Sequence, residues 1–322
     1  MAYQSSYTGA EIDTAVAKVL SDETTSTDIC GLLYNIEESA NESQTLTTYV
    51  GGGLYEIVAT DGTPTTVTAT EIGSATVSPF RFVKEVCIPV AMVSAAQGKI
   101  TEDLTRYYSL TRRKVAEIAI ANGTGIKCKY GDTFIDTCSP DGMPVFCDVH
   151  PIGTTEETQS NCYCKVREAE QDISAELIKR YLEQLTVILR NMKDGDSNVL
   201  GYEADTIVIP GNNYKLEAAV RNTVNSANGY DGWKIVVLSN WSTPFDSFIL
   251  ISSEANKALG GNMLFDTVPF AIETDEDVEL GDVTLTASAS FGVGFGAYEH
   301  MLYFCSAENG TTMPGMTELT SE

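Results

Sequence analysis

Residues 102–121 read EDLTRYYSLTRRKVAEIAIA, and the reading of this stretch decides the fold. Leu104, Tyr108, Thr111, Val115 and Ile118 recur at three- and four-residue intervals, which places them on one side of an α-helix. Glu102 and Asp103 sit at the start, where the positive end of the helix dipole favours carboxylates, and Gly123 supplies a stop just past the end. The spacing predicts a long helix with one buried stripe.

Upstream the texture changes. Residues 45–94 are rich in Thr, Val, Tyr and Ile, punctuated by Gly51, Gly52, Gly53, Asp61-Gly62, Gly73 and Pro79, which predicts a long antiparallel β excursion. Its middle, residues 61–73, has too few large apolar side chains to bury, so the excursion is expected to project from the body. A lone hairpin is marginal in water and needs a neighbour to lie on. Ahead of it, residues 1–45 hold eight acids and one base, Lys18, an acidic arm in which Ile12, Ala15, Val16, Val19 and Leu20 form a short amphipathic helix.

Downstream a second helix is expected over 175–193, capped by Ser174, with Leu177, Tyr181, Leu185, Ile188 and Met192 buried and Gly195 ending it. After Gly201 strand and helix alternate: a strand at 206–209, a helix at 214–224, strands at 234–238 and 248–252. An acidic loop at 275–282 leads to strands at 283–291 and 298–305 and a polar tail over 306–322. With 322 residues and 43% hydrophobic content, the chain can bury one large core or two closely packed ones.

Lys and Arg total 20 against 45 Asp and Glu, a net charge of -25, which argues against a surface that grips phosphate. The first twenty residues lack the basic region and apolar run of a secretory signal, and no stretch reaches eighteen apolar residues. Eight cysteines in such a chain read as reduced thiols of a cytoplasmic product.

Candidate chemistry is sparse. Cys128, Cys138, Cys147, Cys162 and Cys164, with His150 among them, are the conceivable metal ligands, but they contain no Cys-x-x-Cys pair and read better as packed thiols. His150 and His300 are the only histidines, and neither has a motif-linked nucleophile. Gly292-Val293-Gly294-Phe295-Gly296 has dinucleotide-loop spacing without a following βαβ unit, so a strand with close backbone approach is expected instead. Asp194, Asp196 and Asn198, and the acids of 275–282, fall short of calcium-loop spacing. No catalytic residue and no cofactor are expected.

The order of parts (acidic arm, β excursion, long helix, second helix, α/β unit, returning strands) resembles the tailed-phage major capsid proteins of the Hong Kong 97 type, including the Mu-like head subunits. Asp141-Gly142-Met143-Pro144-Val145-Phe146 followed by His150-Pro151 is similar to the Asp-Gly-x-x-Leu-Phe and His run that many such proteins carry after their spine helix. Asp205-Thr206-Ile207-Val208-Ile209-Pro210 is similar to their entry into the axial domain. The resemblance spans roughly residues 45–305 and implies an α+β capsid fold. Its expected parts are an N-terminal arm (1–45), an extended loop (46–95), a peripheral domain with the spine helix (96–204), an axial domain (205–282), return strands (283–305) and a tail (306–322).

It implies a structural subunit, not an enzyme, that assembles with itself as pentamers and hexamers into an icosahedral phage head. Such a head would enclose double-stranded DNA without sequence-specific contacts, with assembly in the host cytoplasm and no membrane. Separate scaffolding, portal and decoration proteins are the implied partners. The subunit contacts are expected on Gly51, Tyr55, Asp61, Gly62, Thr66, Glu71 and Phe80 of the loop and on Arg106, Arg112 and Arg113 of the spine helix. Only about 45 residues precede the loop, so the long cleavable scaffold segment of some relatives is not expected, and residues 51–79 contain no Lys for the crosslink of the type member. Alternatives are an encapsulin-like nanocompartment, a cysteine-metal protein, and a surface adhesin or tail component.

Overall fold

The apolar stripe of residues 102–121 is the second part of a longer helix. The computed structural model describes residues 9–24, 28–39, 43–50, 66, 68–167, 172–277, 279, 281–307 and 315–319. In it the helix starts at Val93, directly after a single 3-10 turn at Val90–Met92. Its opening turns bury Gln97, Thr101 and Thr105, polar residues that hide the stripe from a hydropathy pattern. The Thr101 hydroxyl donates to the Gln97 carbonyl at 3.0 Å and the Thr105 hydroxyl to the Thr101 carbonyl at 2.9 Å, so the helix's own backbone satisfies them.

In chain order the elements are α1 (Gly9–Thr24), α2 (Ile29–Leu33), β1 (Asn35–Glu38), β2 (Gln44–Val50), β3 (Thr70–Val77), β4 (Phe80–Ile88) and α3 (Val93–Ala121). Next come β5 (Lys127–Tyr130), β6 (Thr133–Asp136), β7 (His150–Pro151), β8 (Thr158–Gln159), β9 (Cys162–Val166) and α4 (Ala175–Arg190). Then follow β10 (Thr206–Pro210), α5 (Tyr214–Thr223), β11 (Lys234–Leu238), β12 (Asp246–Ile251) and α6 (Ser253–Ala258). The last are β13 (Asn262–Glu276), β14 (Val283–Phe295), β15 (Met301–Ala307) and β16 (Thr317–Glu318).

The chain forms two compact units. The first draws on residues up to Gln44, Val77–Ala116 and Leu264–Val293. Its sheet has the order β1-β13-β14-β4. Strands β14 and β4 are antiparallel, from Val283 opposite Ile88 to Phe291 opposite Phe80. One face supplies Ile88, Val283, Leu285 and Ala287 to a core shared with Val93 and Leu104 of α3. Tyr108 of α3 stacks on Phe270 at 4.5 Å, and Phe82 stacks on Phe291 at 4.4 Å, pairs of the kind that add about 0.5–1.5 kcal/mol beyond their burial.

The second unit comprises Thr45–Thr76, Glu117–Met263 and the residues from Gly294 on. Its mixed sheet runs β11-β10-β12-β15-β9-β16. All seven residues of β15 are buried, as befits a strand covered on both faces. Phe304 meets Tyr181 of α4 at 4.6 Å and Phe248 at 5.0 Å, while its chain neighbour Tyr303 meets Phe146 at 5.4 Å. Ser174 caps α4 as expected, accepting from the Leu177 amide. The glycine run ends β14, and a Cβ on Gly296 would lie 2.2 Å from the Gly260 carbonyl, so the glycine serves backbone approach.

These units depart from the expected boundaries. Residues 117–204, expected with the spine helix, fall in the second unit because β9 and α4 build its sheet and helical cover. Residues 264–282, expected with the α/β unit, fall in the first because β13 is hydrogen-bonded between β1 and β14. The arm is only partly an arm: Ile29, Cys30, Leu33 and Tyr34 are buried, and the Tyr34 hydroxyl donates to the Ala116 carbonyl at 2.8 Å. Of the expected excursion, β2 and β3 pair as a two-stranded limb, whereas β4 is a strand of the first unit's sheet. The tail is not wholly polar in role either, since β16 joins β9 and Leu319 is buried.

Candidate subunit-contact surface

Helix α3 buries one side and leaves the other to solvent. On that outer side Tyr107 is 58% exposed and Leu110 is 50% exposed, two large apolar groups one helical turn apart. Lys99, Arg106, Arg112, Arg113 and Lys114 put five of the chain's 20 Lys and Arg on this helix. Arg106 is exposed, bonded to Asp103 at 2.6 Å, with its guanidinium carbon 5.6 Å from the Tyr107 ring centre. Arg113 is half-buried.

Arg112 is committed within its own subunit. Its Nη2 lies 2.5 Å from the Asp266 carboxylate on β13, and both side chains are about four-fifths buried. Burial raises the pKa of Asp266 and the Arg112 charge opposes that rise. Tyr108, next to this pair, is pushed up to about 12, chiefly by burial. Phe80 is half-buried at the end of β4, opposite Phe291, and is thus part of the sheet. Thr66 and Glu71 are exposed, Glu71 on β3. Gly51, Tyr55, Asp61 and Gly62 lie outside the described residues.

The root of the limb is held by close backbone contacts. A Cβ on Gly73 of β3 would come 2.2 Å from the Pro140 carbonyl, and one on Gly195 would come 2.5 Å from the Val50 side chain of β2. Thr48 and Ile72 of the limb, with Pro140, Asp141, Tyr298 and Glu299, line a small cavity of about 30 Å³.

Beside that cavity lies the Asp-Gly and His motif. The Asp141 carboxylate accepts from the Ser139 hydroxyl at 2.6 Å, the Met143 amide at 3.1 Å and His150 Nδ1–H at 2.6 Å, with Gly142 at φ +79° completing the turn. The His150 ring is fully buried and stacks on Tyr298 at 3.6 Å. Burial works to raise the pKa of Asp141, but the His150, Ser139 and Met143 hydrogen bonds prevail and hold it below the usual carboxylate value. Glu299 is pushed up by burial. Tyr298 donates its hydroxyl to the Pro151 carbonyl at 3.3 Å and accepts from Gln159 at 2.9 Å. The motif therefore locks the loops beneath the limb. His300 bonds Asn262 at 3.0 Å and is kept neutral by burial, its pKa lowered to about 3.

The five cysteines do not converge. Cys128 lies opposite Ile135 in the β5–β6 hairpin, Cys162 and Cys164 lie on β9, and Cys147 neighbours Asp148. Burial raises Cys128 to about 11 and Cys138 to about 12, and raises Cys147, Cys162 and Cys164 as well, so all five are neutral thiols at pH 7. Among the described residues no three His, Cys, Asp or Glu come together as a metal-holding group. The segment 194–198 is a turn in which Asp194 accepts from the Asp196 and Asn198 amides. Among the described residues no helix is long and apolar enough to cross a membrane.

A long helix against a four-stranded sheet, a two-stranded limb and a six-stranded mixed sheet with helices together form the Hong Kong 97-type capsid fold. The chain is similar to the capsid protein of a native GTA particle at a TM-score of 0.52 and 11% identity, over 88% of this chain and 91% of that one. It is also similar to the capsid of an empty GTA particle (0.50, 11%, 88% and 90%) and to a structure of Mycobacterium phage Adephagia (0.50, 13%, 87% and 89%). No family model and no curated protein matches the sequence. At such identities the likeness is one of fold.

Proposed function

We propose that this chain is a shell subunit of a tailed-phage head, assembling with itself as pentamers and hexamers into an icosahedral container for double-stranded DNA. The observation that carries the reading beyond the fold is a complementarity within the sequence. Between Lys18 and Arg81 the chain has no Lys or Arg, so the limb and the arm beyond Lys18 carry acids alone, while α3 presents Arg106, Lys114, Tyr107 and Leu110 outward. A second copy's limb suits that face: its carboxylates come near the bases, which keep their contacts within the chain, and its Thr, Tyr and Val cover Tyr107 and Leu110. Single contacts of this kind are worth about 1 kcal/mol or less, and a shell multiplies them.

The acidic body suits a wall that must not adhere to packed DNA. Scaffolding, portal and decoration proteins would be separate chains, and assembly would take place in the host cytoplasm with the product residing in the virion. A nanocompartment shares the fold and differs in what it packages.

Negative-stain microscopy of the purified protein tests the reading: closed shells of uniform size are expected, and a persistent monomer overturns it. Replacing residues 52–64 by a short Gly-Ser link should leave circular dichroism and thermal unfolding near those of the parent while abolishing shells. Normal shells from that variant would remove the limb from assembly.

A further inference from the structure

We propose that the root of the limb is a proton-operated latch: Glu299, which shares a small cavity with limb residues, lets β2 and β3 seat against the body when it is neutral and loosens them when it is ionised. The device belongs to one subunit by itself and stands whether or not copies assemble.

The geometry comes first. Thr48 of β2 and Ile72 of β3 form the limb's side of the cavity, and Asp141, Tyr298 and Glu299 form much of the body's side. Two carboxylates thus share about 30 Å³ with an isoleucine side chain, which leaves room for a few waters at most and not for the hydration of a charged pair. Asp141 is provided for, because the Ser139 hydroxyl, the Met143 amide and His150 all donate to it. Glu299 leans on backbone instead, accepting from the Tyr298 amide at 3.0 Å and from its own amide.

The charged groups that act on Glu299 come from two elements. His150 of β7, stacked on Tyr298, favours the ionised form, and Asp141 opposes it. Apart from these carboxylates and the Tyr298 phenol, the residues lining the cavity carry no titratable side chain. Asp194, next to Gly195 in that lining, is taken up by the Asp196 and Asn198 amides. Burial is the largest influence and raises Glu299 above the ordinary carboxylate value.

The limb is the wall that yields. Tyr298 and Glu299 lie just ahead of the fully buried β15, whereas β2 and β3 form a separate two-stranded sheet, marginal without support. Its seat is made of close approaches, Gly73 to the Pro140 carbonyl and Val50 to Gly195, which a small displacement forfeits. A carboxyl raised in the closed state supports closure fully below its value in water, about 4.3, and withdraws that support as pH rises through the closed value. Asp141, lowered when closed, withdraws its support in the other direction, as pH falls. The latch is therefore tightest in mild acid. Between the open and closed values of Glu299, each pH unit multiplies limb opening by up to about ten.

Amide hydrogen exchange of the dilute full-length subunit reads this, followed by mass spectrometry over about pH 5 to 9 and corrected for the intrinsic effect of pH on exchange. Peptides of β2 and β3 are compared with peptides of β12 and β15. Corrected limb exchange is expected to rise with pH while β12 and β15 stay level, and the rise is expected to flatten in Glu299→Gln, whose side chain keeps an acceptor for the Tyr298 amide. Limb exchange that is level with pH, a rise shared by β12 and β15, or a rise that persists in Glu299→Gln overturns the latch. Should Glu299→Gln not fold, Ile72→Ala takes its place: it admits more water to the carboxylate and should flatten the rise, and an undiminished rise there overturns the latch as well.

Discussion

At Asp141 a carboxylate, a hydroxyl, an amide and an imidazole meet within hydrogen-bonding distance, and the net effect is a lowered pKa. A carboxyl depressed in the folded state adds stability above its unfolded value near 3.9, and that stability is lost as pH falls through the lower folded value. Asp141→Asn should cost about 1–3 kcal/mol at pH 7, and the gap from the parent should narrow at a pH below the unfolded value. Urea unfolding at both pH values checks this, and equal midpoints at pH 7 would refute it. His300 titrates near 3 when folded, against about 6.5 unfolded, so between these values the unfolded chain binds more protons and stability falls as pH drops. His300→Gln should flatten that slope by about 1.4 kcal/mol per pH unit, read from denaturation midpoints between pH 6.5 and 4. None of this is legible in the sequence. The Asp-Gly and His text is visible there as a motif, but its meaning depends on Tyr298, which lies 148 residues further along from His150 and stacks on it only in the folded chain. Tyr107 and Leu110 were harder to find: they stand three residues apart beside the stripe read from the sequence, and only the buried Gln97, Thr101 and Thr105 show that the covered side is turned away from them.

At the scale of elements, what could be read was what the local pattern dictates. Strands β10, β11 and β12 and helix α5 appear within two residues of their expected positions, because their apolar runs and caps are local signals. Strand β4 shows the opposite case. Phe82, Val86 and Ile88 alternate inward on it as they would on a free hairpin, and only its pairing with β14, two hundred residues away, makes it part of a sheet. The early turns of α3 were hidden because Thr101 and Thr105 bury hydroxyls that the helix backbone satisfies. The root of the limb offers a test at this scale. Gly73→Ala places a methyl 2.2 Å from the Pro140 carbonyl, so limb or loop must shift. The expected cost is about 1–3 kcal/mol in thermal unfolding, accompanied by fewer shells. Unaltered melting and assembly would mean that the root yields freely.

For the whole molecule, charge is the governing quantity. Each copy carries a net charge of -25, so bringing copies together meets general repulsion, while the exposed acid–base pairs at a contact contribute about 0–1 kcal/mol each. Repulsion should prevail at low salt. Light scattering is therefore expected to show faster shell growth at about 0.5 M than at about 0.05 M salt, where the screening length falls from about 14 to about 4 Å. Slower growth at high salt would mean that attraction across the limb contact dominates instead. Strand β4 adds a practical consequence: of the eight cysteines only Cys87 is exposed, on the sheet face turned away from α3. A maleimide dye under gentle conditions would therefore mark each subunit chiefly at one point, and the change in its fluorescence as particles grow would report whether that face ends in solvent or against a neighbour.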